Sequence, residues 1–326
     1  MVDGFGRRIE YLRISVTDKC NLRCVYCMPL EGLEWLKRDA LLSYEEIVRI
    51  VRVMAPMGLR RVRFTGGEPL VRRDLPDLVR MVADVPGIED LSLSTNAVLL
   101  AEHADALREA GLNRVNVSLD SLRADRVDAI SRRPGSHGRI MAGLRAAEES
   151  GFTPLKINVV LMGGRNDDEI ADFAEITRER PWHIRFIEVM PTTANLDLSR
   201  ENYVSCAEAL RRIRALGTLE PAEGPTGNGP ATYYRFPGAP GTIGVITPMS
   251  HNFCDRCNRM RLTADGQLRP CLFGDLQTDL RGPLRAGEPL EPHIRETLRV
   301  KPERHLLVQG SDSGSGGLVA LSQTGG

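Results

Sequence analysis

The chain has 326 residues, and its 43 lysines and arginines balance its 43 aspartates and glutamates. This balance excludes a global field that would attract nucleic acid or an anionic membrane, so any affinity for an anion must come from local clustering. Apolar residues make up 42% of the chain, enough for one large domain or two smaller ones. The chain contains no apolar run of membrane-spanning length and its N-terminus lacks the apolar core of a signal peptide, which predicts a cytoplasmic protein.

Up to about residue 190 the chain alternates β-type runs with helix-type runs. The first strand is predicted in IEYLRISV, and the first helix begins after Ser43, which is spaced as a capping box with Glu46. About six successive βα units predict an α/β fold, a parallel sheet in a partial (β/α)6 TIM-type barrel with helices outside. The later strands are predicted in RRVRFT, DLSLST, RVNVSLD, PLKINVVL and HIRFIEVM.

The pattern changes after Met190. A helix is predicted from Ser205 to about Leu216, followed by the Gly/Pro-rich loop PAEGPTGNGP, the strand TIGVITP and a hairpin in RLTADGQLRPCL with the turn ADG. We therefore predict a partial barrel over residues 1–195, a smaller α+β extension over 196–310, and a Gly/Ser-rich tail over 311–326.

Six of the seven cysteines form two groups of three, which favours metal binding or catalysis over disulfides. The seventh, Cys206, is predicted to be a buried apolar residue. The first group has the spacing C-x3-C-x2-C in the loop after the first strand. Zinc and an iron–sulfur cluster both remain possible, although three ligands leave a metal position open for a reactant. The first group is Cys20, Cys24 and Cys27.

The second group has the spacing C-x2-C-x13-C. It fits either a zinc ribbon with His251 as the fourth ligand or a second iron–sulfur cluster. The residues directly after Cys257 include Asn258, Arg259 and Arg261. Cationic side chains beside an open metal position suit an anionic, heteroatom-rich substrate. The second group is Cys254, Cys257 and Cys271.

Polar and cationic side chains recur at the ends of the predicted strands, where the loops of a barrel-like fold carry its chemistry. Taken alone, FTGGEP is also explained by a tight turn, the residues at the ends of the third and fourth strands by capping of the next helix, Met190 by core packing, and each cation by solvation or an ion pair. Together they predict the rim of one site that holds an anion. The set at the strand ends is FTGGEP at 64–69, Thr95, Asn96, Ser118, Asp120 and the apolar Met190, and the cations are Arg13, Arg63 and Lys156, with Arg61 and Arg185 as helpers.

The first cysteine motif, C-x3-C-x-aromatic-C with Tyr26 in the aromatic position, resembles the signature of the radical S-adenosylmethionine (SAM) superfamily. The resemblance implies that Cys20, Cys24 and Cys27 hold three irons of a 4Fe–4S cluster, and that the fourth iron binds SAM. Reductive cleavage of SAM would release a 5′-deoxyadenosyl radical. The resemblance assigns SAM binding to Tyr26, Gly66, Gly67, Glu68, Ser118 and Met190.

Motifs along nearly the whole chain, including TGGEP, SLDS, IRFIEVMP and FCDRCNRMRLTADG, are similar to the GTP 3′,8-cyclase family of molybdenum cofactor biosynthesis. That resemblance implies a lyase that cyclises GTP to (8S)-3′,8-cyclo-7,8-dihydroguanosine 5′-triphosphate, with a second 4Fe–4S cluster on Cys254, Cys257 and Cys271. It assigns GTP binding to Arg13, Arg63, Thr95, Lys156, Arg259, Met260 and Arg261, and catalysis to Arg13, Arg259, Arg261, Gly325 and Gly326.

The same resemblance implies that the terminal Gly-Gly enters the site, although Thr324 replaces the aliphatic residue expected before it. The expected partners are GTP, an electron donor and, by hand-off of the product, cyclic pyranopterin monophosphate synthase, with no nucleic acid or membrane and a monomeric or homodimeric state. Two alternatives remain: another radical SAM enzyme with an auxiliary cluster that acts on a peptide, and a non-enzymatic zinc-binding module.

Overall fold

The computed structural model describes residues 1–192, 195, 201–225, 229–305 and 321–324. Six parallel strands form the centre of one sheet, and each pairs with the next in chain order, which confirms the predicted parallel arrangement. These strands are β1 Tyr11–Ser15, β2 Arg61–Thr65, β3 Asp90–Thr95, β4 Arg114–Ser118, β5 Leu155–Leu161 and β6 Trp182–Glu188.

Helices connect these strands, and the first begins at the predicted capping box. Glu46 N donates to Ser43 Oγ at 3.2 Å and Ser43 N donates to Glu46 Oε2 at 2.7 Å, so two amides at the helix start are satisfied. No helix of the described residues is long and apolar enough to cross a membrane. The helices are α1 Tyr44–Met54, α2 Leu75–Ala83, α3 Ala104–Glu109, α4 Ala124–Ser131, α5 Ser136–Glu149 and α6 Ile170–Glu179.

The extension adds strands to both edges of this sheet. β10 (Arg259–Leu262) pairs in parallel with β1, and β9 (Thr242–Ile246) pairs in parallel with β6, which makes eight adjacent parallel strands. The other elements are α7 Cys206–Arg214, β7 Glu220–Ala222, β8 Thr232–Arg235, β11 Gln267–Arg269, β12 Thr278–Asp279, α8 Arg281–Ala286, α9 Glu291–Arg299 and α10 Leu321–Thr324.

The expectation of six units is therefore incomplete, because two strands of the extension satisfy the backbone groups that the edges of a six-stranded sheet would leave unpaired. The predicted hairpin is confirmed: Arg261 pairs with Arg269 in antiparallel register, and Gly266 takes a φ of +88° in its turn. The boundary near residue 195 stays a prediction, and the strands before and after it share one sheet.

Side chains alternate between the two faces of each strand. On β1, Leu12 and Ile14 join the hydrophobic core, whereas Tyr11 and Arg13 face the other side. The same alternation places Met260 in the core and its neighbours Arg259 and Arg261 on the opposite face. The core contains, from the other parallel strands, Val62, Phe64, Leu91, Leu93, Val115, Val117, Ile157, Val159, Ile184, Phe186, Ile243 and Val245.

Candidate active site

The polar faces of the parallel strands border a cavity of about 260 Å³. Five arginines from four strands line it, and Asp120 is the one carboxylate among its described lining residues. The usual interior of a (β/α) barrel is filled by branched apolar side chains, so this concentration of cations is a departure that needs a ligand to explain it. The arginines are Arg13, Arg63, Arg185, Arg259 and Arg261.

These cations repel one another. Burial lowers the pKa of Arg13 well below its ordinary value, and the charges of Arg261 and Arg63 lower it further. Arg63 and Arg185 form no ion pair with any described carboxylate; Arg63 Nε donates to Ser92 Oγ at 3.1 Å, and Arg185 Nη2 donates to the Asn116 amide at 2.8 Å. Neutral partners leave the positive charge uncompensated, so the cavity is suited to a polyanion.

Lys156 belongs to the same cationic cluster but does not line the cavity, and 2% of its surface is exposed. Burial lowers its pKa to about 6, and the charges of Arg185 and Arg114 act in the same direction. Among the predicted helpers, Arg185 lines the cavity, whereas Arg61 forms an ion pair with Glu10. Arg61 is therefore already compensated by a carboxylate.

The first cysteine group lies on the loop after β1, and none of its three cysteines forms a disulfide. Burial raises the pKa of Cys24 well above its ordinary value, and the nearby Asp120, Cys27 and Cys20 raise it further, so the three sulfurs lie close together. Leu22 N donates to Cys20 Sγ at 3.4 Å. No three His, Cys, Asp or Glu side chains of the described chain converge closely enough to hold a single metal ion.

A 4Fe–4S cluster takes each thiolate on a different iron, so its ligands need not converge on one point. Three neighbouring, half-buried cysteines with an amide donor to one of them suit such a cluster, because hydrogen bonds to sulfur stabilise and tune thiolate ligation. The residues present therefore fit the group.

The TGGEP segment packs against this loop. A Cβ atom on Gly66 would lie 2.4 Å from Thr17 O, and one on Gly67 would lie 2.3 Å from Lys19 O. Gly67 N donates to Thr17 O and Glu68 N to Lys19 O, each at 2.8 Å. The sequence predicted close approach of the glycines to a ligand; the close approach that the structure shows is to the backbone of the cysteine loop.

Glu68 is held by the next strand end. Its carboxylate accepts from Thr95 Oγ1 and from Asn96 N, each at 2.7 Å, and burial raises its pKa to about 7. Thr95 thus contacts Glu68 and does not line the cavity, which differs from its predicted contact with the substrate. Together, Glu68, Thr95 and Asn96 connect the ends of β2 and β3 below the first cysteine group.

We expect Gly67→Ala to disrupt the first cysteine loop, because backbone atoms surround the site of the added methyl group. Overpacking of this kind costs about 1–3 kcal/mol. Thermal unfolding of the variant should show lower stability, and its iron uptake on anaerobic reconstitution should fall. Gly138→Ala in α5 is the matched control, since its Cβ meets nothing within 4 Å and alanine favours a helix. Equal stability and iron content of the two variants would contradict this packing role.

Three of the residues predicted to bind SAM line the cavity: Tyr26, Ser118 and Met190. Tyr26 OH donates to Asp120 Oδ2 at 2.9 Å, and Val160 N donates to Asp120 Oδ1 at 2.8 Å. Burial raises the pKa of Asp120 to about 6. These contacts fix Tyr26 at the cavity wall. The three cysteines of the same motif are not among the residues that line the cavity.

All three cysteines of the second group line the cavity. Burial raises the pKa of Cys257, but the charges of Arg259 and Lys301 outweigh it and lower the pKa to about 7, which favours the thiolate that a metal needs. Lys301 Nζ lies 3.7 Å from Cys257 Sγ and donates to Arg259 O at 3.0 Å. The loop is also held from the N-terminus, where Arg7 Nη1 donates to Cys254 O at 2.7 Å.

His251, the fourth ligand in the zinc alternative, is exposed and does not line the cavity. The histidine at the cavity wall is His305, whose ring lies 5.3 Å from that of Phe273. The three cysteines with their cationic neighbours could hold an iron–sulfur cluster, and the histidine predicted to complete a zinc site is not among the cavity residues.

The structure differs from the sequence prediction at Met260. Its side chain is 1% exposed and packs in the core, because strand alternation turns it away from the face that Arg259 and Arg261 share. Gly325 and Gly326 lie outside the described residues. Just before them, Leu321 lines the cavity, Thr324 is 4% exposed, and Arg261 Nη1 donates to Thr324 O at 3.4 Å.

Two residues of the site carry no motif and were not predicted. Tyr11 lines the cavity from β1, two positions before Arg13, and this period-2 spacing was the available signal. Lys301 reaches the second cysteine group from the end of α9, and no local pattern indicates that contact. Cys206 is fully buried, as predicted.

Two family models match adjoining parts of the chain. Residues 14–176 match the radical SAM superfamily, and residues 182–307 match the Molybdenum Cofactor Synthesis C family. Relatives named GTP 3′,8-cyclase match almost the whole chain. The protein from Pelotomaculum thermopropionicum is 49% identical over 95% of this chain and 96% of its own length, and that from Geobacter sulfurreducens is 48% identical over 94% of each.

Among solved structures, Streptococcus suis SuiB bound to S-adenosylmethionine is similar, with a TM-score of 0.62, 16% identity, and coverage of 88% of this chain and 68% of SuiB. At this identity the likeness shows the fold alone. SuiB has also been solved with a precursor peptide, SuiA, and that pairing is a property of SuiB.

Proposed function

The chain belongs to the radical SAM superfamily and, within it, to the GTP 3′,8-cyclase family, and we propose that it converts GTP into 3′,8-cyclo-7,8-dihydro-GTP for molybdenum cofactor biosynthesis. The chain is an enzyme of the radical SAM type with a GTP cyclase role. The observation that supports this substrate best is the set of five cavity arginines against a single carboxylate. A triphosphate supplies about four negative charges, and hydrogen bonds between charged groups contribute about 1.5–3 kcal/mol each.

We assign phosphate binding to the cations that belong to β1, β2 and β5. Arg13 and Arg63 line the cavity beside one another in register on β1 and β2. Lys156 is close enough for Arg185 and Arg114 to lower its pKa, and an arriving polyanion would reverse that shift and keep it charged. These residues would hold the triphosphate while Arg259 and Arg261 extend the binding surface toward the second cysteine group.

Cys20, Cys24 and Cys27 hold a 4Fe–4S cluster in this proposal, and Tyr26, Ser118 and Met190 contact SAM. When bound, the reduced cluster and SAM supply a 5′-deoxyadenosyl radical. The chain's own contribution is orientation and exclusion of water, because a primary carbon radical attacks any C–H bond that it meets. The hydrogen bond from Tyr26 to Asp120 holds the tyrosine at the cavity wall, and the packing of TGGEP supports the cysteine loop behind it.

Cys254, Cys257 and Cys271 would hold a second 4Fe–4S cluster with an open position for the guanine ring. The supporting observations are the charges of Arg259 and Lys301, which lower the pKa of Cys257 to about 7 against the effect of burial, and the place of all three cysteines on the cavity wall. The family resemblance assigns a catalytic role to Gly325 and Gly326, which lie outside the described residues; just before them, the carbonyl of Thr324 accepts a hydrogen bond from the Arg261 guanidinium. The proposed partners are an electron donor and cyclic pyranopterin monophosphate synthase, which would receive the product.

The product is an isomer of GTP. One hydrogen atom would pass from C3′ of the ribose into 5′-deoxyadenosine, and a carbon–carbon bond would form between C3′ and C8. One electron from the donor and one proton from solvent would then be added, and SAM cleavage would consume one further electron. The product therefore has the same mass as GTP, and chromatographic separation must precede mass analysis.

We expect anaerobically reconstituted protein, given SAM, dithionite and GTP deuterated at C3′, to form 5′-deoxyadenosine that contains deuterium, together with a GTP isomer. Omission of GTP should reduce 5′-deoxyadenosine by about tenfold or more, because substrate binding completes the site. Liquid chromatography with mass detection measures both products. ATP deuterated at C3′ is the control that tests whether the reaction requires the guanine base. 5′-Deoxyadenosine that forms equally without GTP, or that lacks deuterium, would contradict the proposal.

A further inference from the structure

Tyr11 is a cavity residue that the proposed mechanism does not use. It lies at the start of β1, two positions before Arg13, so strand alternation directs both side chains to the cavity face. Its side chain is buried, with 4% of the residue exposed, and the Arg63 guanidinium lies 5.4 Å from the centre of its ring. The tyrosine is thus placed among the cations assigned to phosphate.

The hydroxyl of Tyr11 is buried and has no hydrogen-bond partner among the described residues. Ser92 lies beside this hydroxyl but not in hydrogen-bond geometry with it; Ser92 Oγ accepts from Arg63 Nε at 3.1 Å and donates to Val62 O at 3.5 Å. Leaving a buried polar group unpaired costs about 1–3 kcal/mol, and native proteins rarely tolerate it without a reason. A ligand that enters the cavity would supply the missing partner.

The surroundings of the hydroxyl indicate the chemistry of that partner. Burial raises the pKa of Tyr11, but the charges of Arg63 and Arg13 outweigh it and lower the pKa from its ordinary value. A more acidic phenol is a stronger donor, and hydrogen bonds to ionised acceptors are about twice as strong as those between neutral groups. Guanidiniums are donors only, so the hydroxyl and the cations around it all require an acceptor that carries negative charge.

We propose that the Tyr11 hydroxyl donates a hydrogen bond to a phosphate oxygen of the nucleotide substrate, as a further specificity-determining residue of the phosphate end of the site. This inference rests on the proposed function. It differs from a packing role, which the ring alone would fulfil. A packing role requires the aromatic ring and not the oxygen, so replacement by phenylalanine separates the two.

The test is Tyr11→Phe in the full reconstituted chain, with calorimetric titration by GTP and by guanosine and with thermal unfolding of the ligand-free protein. We expect GTP to bind about tenfold or more weakly, as expected for loss of a hydrogen bond to a charged acceptor. Guanosine affinity should stay within about twofold of the wild type, because the nucleoside has no phosphate. The melting temperature of the ligand-free variant should stay the same or rise, since an unpaired buried hydroxyl is removed.

Tyr44→Phe is the matched control. Tyr44 also lies under an arginine, with Arg72 at 4.3 Å from its ring centre, but it is outside the cavity and its hydroxyl donates to Arg73 O at 2.7 Å. It should lose a little stability and no GTP affinity. Unchanged GTP affinity in Tyr11→Phe, an equal loss for guanosine, or a lower melting temperature would each overturn the inference. Failure of the wild type to bind GTP would instead overturn the proposed function, and the inference with it.

Discussion

Cys24→Ala is expected to abolish SAM cleavage. Cys24 is the middle ligand of the first group; its sulfur is buried, and the charges of Cys20 and Cys27 reach it. Removal of one of three thiolates should leave the cluster without a stable hold, and no other described cysteine outside the second group is near enough to replace it: Cys206 packs against Phe186 O at 3.6 Å and Ile246 O at 3.4 Å. Loss of outer-shell partners alone costs metal sites about 10–100-fold, so loss of a ligand should exceed about 100-fold.

The measurements are iron and sulfide content after anaerobic reconstitution and the rate of 5′-deoxyadenosine formation. Iron should fall to about half of the wild-type value, because the second group remains intact. Cys206→Ala is the matched control, since it removes a buried thiol that belongs to neither group and should keep both iron and activity. Substantial SAM cleavage by Cys24→Ala would show that this cysteine is not a ligand.

Cys257→Ala is expected to keep the first cluster and lose cyclisation. Cys257 lines the cavity, its thiol has a pKa of about 7, and Lys301 and Arg259 both face it. Removal of this sulfur should release the second cluster and leave the two cations without a counter-charge. Product formation should fall by about 100-fold or more, whereas iron should fall by about half and SAM should still bind at the first cluster.

Iron analysis, electron paramagnetic resonance of the reduced protein and product chromatography together test this expectation. The resonance of the first cluster should persist in Cys257→Ala and vanish in Cys24→Ala, so the two variants serve as each other's control. Normal product formation by Cys257→Ala would show that the second cysteine group takes no part in the reaction. Unchanged iron together with lost zinc would favour the zinc alternative for this group.

Much of the fold was predictable because the information is local. The capping box at Ser43 and Glu46, the six βα units and the ADG hairpin each depend on residues a few positions apart, and each appears in the structure. The pairing of β10 with β1 joins residues about 250 positions apart and leaves no periodic signal. The sequence therefore predicted β9 and the hairpin of β10 and β11, missed β7, β8 and β12, and could not predict that β9 and β10 would enlarge the parallel sheet.

The candidate site divides in the same way. The cysteine groups, the TGGEP segment and the cations were visible as types of residue at a given spacing, and five of the cations do line the cavity. The neighbours of the second group were not visible, since Lys301 and Arg7 reach it from distant ends of the chain. The role of Gly66 and Gly67 was also hidden, because a glycine in the sequence does not say which backbone approaches it.

The sequence by itself determined the chemistry that this protein can hold: six thiols in two groups, and a surplus of guanidiniums near strand ends. Only the tertiary structure decided which face of each strand borders the cavity. Arg259 and Arg261 lie on the cavity face of β10, whereas Met260 between them packs in the core. The Tyr11 hydroxyl lies among cations. The reason is that residue type is a local property, whereas burial, charge compensation and hydrogen-bond satisfaction depend on groups that meet only when the chain has folded.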